Sequence, residues 1–333
     1  MEIVFFKKRK KEDIMKKTAF LLVLGGILLI PFYGLGQDVI KYPTKPISYI
    51  VQFAPGGGAD LTSRALCKIA EDVLGQPIVV ENKAGGAGVI GINLVAKAKP
   101  DGYTIGGFSY SATVIGPHIR EIPFKTKEDF SFICRYAEYA HAFVVKSDSP
   151  WKTFNDFIED ARKNPGRRTY CSAGTKSGQH IYIQALAQVA GVKLKHIPYA
   201  GDREELAAVL GGHVDAGIIA AIAPHIKSGD LRALAVDTQK RWKILPDVPT
   251  FIELGYKIEA PFWIGVAGPN GIPKDILQKL EKAFEKATST RSFQEMLERI
   301  NMIPAYSSGE EFKKVVFRDY DVQGEFLKKL VLE

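Results

Sequence analysis

Cysteine is scarce: Cys67, Cys134 and Cys171 are the only three in 333 residues, odd in number and far apart. They form neither a disulfide framework nor a metal-ligand cluster, so they read as buried structural thiols. Long hydrophobic runs are few as well. The run near the N-terminus, Ala19 to Tyr33, spans 15 residues and contains Gly25, Gly26 and Pro31. A membrane-spanning helix needs about 20 apolar residues. Lys16-Lys17 before the run and the small residues Gly34 and Gly36 after it fit a secretory signal cut after Gly36. Residues 1–36 are therefore expected to be a cleaved signal peptide, with Met15 a competing initiator, and the mature chain is expected in the periplasm. No cysteine directly follows the run, so a lipid anchor is not indicated.

A one-sided charge is also missing from most of the chain. The formal net charge is +8, but residues 1–36 hold seven Lys/Arg against three acids, leaving +4 over the other 297 residues. No basic stripe interleaved with aromatics is present, which excludes a nucleic-acid partner. The histidines His118, His141, His196, His213 and His225 lack metal-ligand spacing. A P-loop is absent, because Pro55–Thr62 has no lysine and Thr175 rather than Gly precedes Lys176. Gly86-Ala87-Gly88-Val89-Ile90-Gly91 fits a dinucleotide fingerprint, but the next strand ends in Ser109-Tyr110-Ser111 without an acid for the ribose. Ser172 or Cys171 with His180 and Asp202 or Asp215 would supply the residue types of a triad, yet no nucleophile-elbow motif fixes them. The chain is expected to be no enzyme, with no cofactor and no metal.

What is abundant is glycine, at the junctions of an alternating β and α pattern. Strand-like stretches at 47–53, 78–81, 104–108, 169–172, 194–199, 214–219 and 231–236 alternate with helices. Asp60 is expected to cap a helix with Leu66, Ile69 and Val73 facing inward and Gly75 at its end. Thr153 with Asp156, and Ser308 with Glu311, announce capping boxes. The strands fall into two groups, about 43–138 and 142–257. The tail from about 260 reads as mainly helical and is expected to pack on the first group, so that the chain crosses between lobes twice.

Three strand-to-helix turns, 54–60, 84–88 and 173–178, are rich in Gly and small residues. Glycine lets a ligand approach the backbone, and the following helix presents unpaired N–H groups at the positive end of its dipole. Such turns lie at the carboxyl ends of the strands, where open α/β sheets bind anions and other ligands.

These turns belong to a longer series. Lys45-Pro46-Ile47, Phe53 to Asp60, Gly75-Gln76-Pro77, Val79-Val80-Glu81-Asn82 and Pro100 to Thr104 occur in order with Asn164-Pro165-Gly166, Ser172-Ala173-Gly174, His180 and Pro198-Tyr199. Gly211-Gly212, Ile226 to Gly229, Leu231 to Val236, Leu245 to Thr250 and Pro269 to Pro273 continue it. Across nearly all of 43–325 the chain resembles the Bug (Bordetella uptake) family, the extracytoplasmic solute receptors of tripartite tricarboxylate transporters. The resemblance implies a type II periplasmic-binding-protein fold, α/β, with two lobes closing on a ligand cleft. Lobe 1 would be 37–140 plus 258–333, and lobe 2 would be 141–257. It implies a monomer that captures a small organic acid and hands it to membrane permease subunits; feeding a sensor kinase is the alternative. Carried over, the ligand-binding residues are Phe53, Ala54, Gly57, Gly58, Ala59, Gly85, Gly86 and Ala87, with Ser109 and Ser111 at another strand end. The second lobe would add Thr175, Ser177, His180, Tyr199, Gly201 and Asp202. Tyr199-Ala200-Gly201 lacks the lysine common between that Tyr and Gly, and Ile218 to Ile222 lacks a polar residue. These departures point to a ligand with one carboxylate and an apolar or aromatic body.

Overall fold

The computed structural model describes residues 41–330 except 221, 257, 259, 260 and 301. The segment read as a signal peptide lies outside them. From Tyr42 onward the chain is one compact unit, built on two sheets.

The first sheet has the strand order β11-β4-β10-β3-β1-β2. Its strands are β1 (Ile47–Val51), β2 (Ile78–Asn82), β3 (Thr104–Ser109), β4 (Phe130–Tyr139), β10 (Trp263–Pro269) and β11 (Met302–Ser308). β1 runs parallel to β2 and β3, while β10 lies antiparallel between β3 and β4. The second sheet, β7-β6-β8-β5-β9, comprises β5 (Ala142–Lys146), β6 (Thr169–Ser172), β7 (Lys195–Pro198), β8 (Ala216–Ile219) and β9 (Leu231–Val236). The chain leaves the first sheet after Tyr139, enters the second at Ala142, and returns between Val236 and Trp263. It thus passes between the sheets twice.

The long helices cover the sheets because each buries one apolar face. On α1 (Gly58–Leu74) that face is Leu66, Cys67, Ala70 and Leu74. The expected face was rotated by about one residue: Val73 is exposed. Gly75, at φ +70, ends the helix by donating its N–H to the Glu71 carbonyl, the left-handed stop that glycine adopts without steric cost. α2 (Val89–Ala96), α3 (Gly116–Ile119), α4 (Phe154–Lys163), α5 (Gly178–Ala190), α6 (Asp202–Leu210) and α7 (Ala223–Lys227) follow, then α8 (Lys274–Ser289), α9 (Arg291–Arg299) and α10 (Gly309–Leu327). Both expected capping boxes form, at Thr153/Asp156 and Ser308/Glu311.

The tail differs from its sequence reading. It supplies two strands as well as helices, and β10 sits inside the first sheet with all seven residues buried. A strand buried on both faces has no alternation to betray it. Its Trp263 stacks on Phe108 and packs edge-on against Phe312, joining tail and first strands in one core. The three cysteines are buried and unpaired. Among the described residues no helix is long and apolar enough to cross a membrane, and no group of His, Cys, Asp or Glu is placed to hold a metal ion.

Candidate ligand cleft between the two sheets

β1 ends at Val51, and the chain turns through Phe53 to Gly57 into the first turn of α1. A small network holds this turn. Asp60, the third residue of the helix rather than its cap, accepts the Gly56 N–H at 2.9 Å. Its other oxygen accepts from Arg64 Nε at 2.9 Å and from Asn82 Nδ2 at 2.9 Å. Asn82, at the end of β2, also donates to the Phe53 carbonyl at 3.0 Å. Burial works to raise the Asp60 pKa, but the hydrogen bonds from Arg64, Gly56 and Asn82 outweigh it and hold the carboxyl below its usual value. Gly57 is the N-cap and has no side chain, so the start of α1 faces the cleft as bare backbone.

The opposite side is built the same way. Gly201 precedes α6, and Asp202 at the start of that helix accepts the Gly58 N–H at 3.2 Å. A Cβ at Gly201 would lie 3.7 Å from the Ala54 Cβ, and one at Gly58 would come within 3.0 Å of Tyr139 and 3.4 Å of Asp202. Two more contacts join the sides. Gly178 donates its N–H to Ser111 Oγ at 3.1 Å, and Gly174 would bring a Cβ within 3.6 Å of Ala87. The two lobes are therefore closed on each other, leaving a cavity of about 50 Å³. Ordinary ligand pockets run to a few hundred Å³.

Nine of the residues expected in the site line this cavity: Phe53, Ala54, Gly57, Gly58, Ala59, Ser109, Ser111, Gly201 and Asp202. The others stand off it. Gly85, Gly86 and Ala87 form a turn with positive φ throughout, including φ +50 at Ala87, and Ala87 lies next to Gly174 of the other lobe. Thr175 is exposed and Tyr199 half-buried. Ser177 caps α5 by accepting the His180 N–H. His180 packs locally: its Nδ1 accepts the Lys176 N–H at 2.8 Å, and its ring stacks on His196 at 3.8 Å. Burial, assisted by the Lys176 charge, lowers the His180 pKa to about 4; burial and the neighbouring His180 lower that of His196 to about 3. His196 is also the hydrogen-bond partner of Ser172, at 2.7 Å. In that pair Ser172 is buried and His196 half-buried, and Asp215 is engaged with Thr169 instead of either histidine.

Seven lining residues were not among the expected contacts, although Ala173 belongs to the expected 173–178 turn: Tyr110, Tyr139, His141, Ala173, Gln179, Phe262 and Trp263. Tyr110 stood between two expected serines. His141 needed the fold to explain it, because its partner is 96 residues away: Nδ1 donates to Asp237 Oδ2 at 2.7 Å, and both side chains are buried. Tyr139 stacks on His141, Phe262 meets its edge, and Tyr110 meets Phe262 and Trp263 edge-on. Among the polar groups Gln179 is spent on the Ala173 N–H and the Ile218 carbonyl. The Ser109 hydroxyl is buried and makes no hydrogen bond within the chain. The cleft is therefore ring-walled, with backbone N–H groups and an unpartnered hydroxyl in its lining.

Two lobes, each a sheet covered by helices, meeting over such a cleft define a solute-binding protein of the periplasmic type. The family model "Tripartite tricarboxylate transporter family receptor" matches residues 62–332, and the chain belongs to that family. A Cupriavidus necator protein described as "UPF0065 protein in gbd 5'region" is 34% identical over 293 residues, covering 88% of this chain and 89% of that protein. The solved periplasmic binding protein BugD is 30% identical with a TM-score of 0.82, covering 87% of this chain and 98% of its own. Rpa4515 of R. palustris, solved with adipate, is 26% identical with a TM-score of 0.80, over 86% of this chain and 97% of its own. Family members are periplasmic binding receptors and not enzymes, and this chain is likewise a solute-binding receptor.

Proposed function

We propose that this chain is exported to the periplasm, captures a small organic acid between lobes formed by 37–140 plus 258–333 and by 141–257, and delivers it to tripartite transporter permease subunits. The observation that carries the reading is the hydrogen bond from the Gly58 N–H to a carboxylate oxygen of Asp202 across the cleft. The start of α1 is thus a carboxylate-accepting surface in this chain, and a solute carboxylate fits the same donors. The adipate carried by a relative of the same fold supports the ligand class.

Energetics say why two lobes are needed. A carboxylate at a helix N-terminus gains about 0.3–1 kcal/mol, or ~2 when partly buried. Micromolar affinity requires about 8 kcal/mol. The remainder comes from charge-assisted hydrogen bonds and from closing ring-lined walls around the solute body. Closure also creates a surface that a permease distinguishes from the open receptor. The test is calorimetry on an acid and its amide: the acid binds and the amide does not. Equal affinities for the two would reject the carboxylate reading.

A further inference from the structure

Asp202 has a consequence for ligand choice. We propose that it is the specificity-determining residue of the cleft, admitting a carboxylate only when the same ligand carries a cationic nitrogen. This rests on the receptor reading above and narrows its solute class to a zwitterion with an apolar or aromatic body.

A solute carboxylate at the start of α1 must share the Gly58 region with the Asp202 carboxylate, which already lies 3.2 Å from that N–H. Two like charges at such range in a half-buried site repel strongly unless a cation lies between them. The protein does not supply one. Among the described residues lining the cleft none is Lys or Arg. The lining His141 is spent on Asp237, and Arg64 is spent on Asp60 and Asn82. Arg203, next to Asp202, is exposed and lies against Gly56 without lining the cavity. The same helical turn adds no further cation. Glu204 accepts the Ala200 N–H, and Glu205 is buried with neither oxygen hydrogen-bonded. The missing positive charge must therefore come with the ligand. The rings of Phe53, Tyr110, Tyr139 and Phe262, which line the same cavity, favour a cation as well as an apolar body. The unpartnered Ser109 hydroxyl is a second donor for the carboxylate.

The experiment is calorimetry on the purified full chain with three probes that share one ring: L-phenylalanine, 3-phenylpropionate without the ammonium, and L-phenylalaninamide without the carboxylate. The expected result is at least tenfold tighter binding of phenylalanine than of either analogue. In Asp202→Asn, and in Asp202→Ser as a second variant, 3-phenylpropionate gains at least tenfold and phenylalanine loses its advantage. Equal or tighter binding of 3-phenylpropionate by the native chain overturns the proposal, as does an unchanged ratio in the variants. Binding of 3-phenylpropionate without phenylalanine leaves the receptor reading standing and removes this one. If neither acid of the set binds, this proposal falls and the receptor reading is left to its own acid-and-amide test.

Discussion

Gly178 shows how closely the two lobes fit. A Cβ at this position would lie 2.5 Å from Ser111 Oγ and 2.6 Å from a ring carbon of Phe262, both across the cleft. Overpacking of this kind costs about 1–3 kcal/mol. Gly178→Ala is expected to weaken ligand affinity about tenfold or more in calorimetry while leaving the unfolding midpoint nearly unchanged, because the clash exists only in the closed state. Glu205 gives a second prediction. It is fully buried without a hydrogen bond, and burial, with Asp202 and Glu204 nearby, pushes its pKa well above the usual carboxylate value. The folded state therefore keeps a proton that the unfolded state releases above about 4.5. Its contribution to stability is intact below that pH and is lost as pH rises toward the folded value. Urea unfolding should find Glu205→Gln increasingly more stable than the native chain from pH 5 to pH 8, with a slope of up to about 1.4 kcal/mol per pH unit. A constant difference across that range would refute it.

At the scale of elements, the legible features were those with local causes. The Thr153/Asp156 and Ser308/Glu311 boxes and the Gly75 stop follow from residues within a turn of the feature. β10 did not, since burial on both faces removes the alternation by which a strand is recognised. The cleft divides along the same line. The Gly-rich turns were visible because glycine marks them, whereas His141, Tyr139 and Phe262 enter only once β4, β5 and β10 are side by side. Asp60 was misread for a related reason: it reaches back from the third helical residue to Gly56, a capping pattern one turn removed from the usual cap. The start of α5 and β7 share the His180–His196 stack. Their folded pKa values, about 4 and about 3, lie below the ordinary 6.5. The stability they confer is thus complete above pH 6.5 and lost as pH falls toward 4. The thermal midpoint should drop over that interval, and a His180→Gln/His196→Gln double variant should flatten the drop.

At the scale of the whole molecule, the proposed capture requires the two bodies to part and meet. Ala54 and Gly201 face each other across the cleft with Cβ positions 3.7 Å apart, and Gly201 at φ 171 is extended backbone open to any residue. A disulfide needs a Cβ separation of about 3.5–4.5 Å. Ala54→Cys with Gly201→Cys is expected to oxidise into a lock that holds the lobes shut. Radiolabelled solute should neither enter nor leave the oxidised protein, and reductant should restore exchange. Exchange at the native rate with the bond intact would show that the lobes do not need to separate.

The double passage between sheets also sets a schedule for synthesis. The second sheet is drawn from one continuous stretch, Ala142 to Val236, and owns all its strands before residue 263 is made. The first sheet cannot do so. β3 and β4 flank β10 and meet only through it, so its middle stays open until Trp263–Pro269 has left the ribosome. The later-encoded body is thus ready first, and the one that begins the chain waits, edges unpaired, for its own last strands.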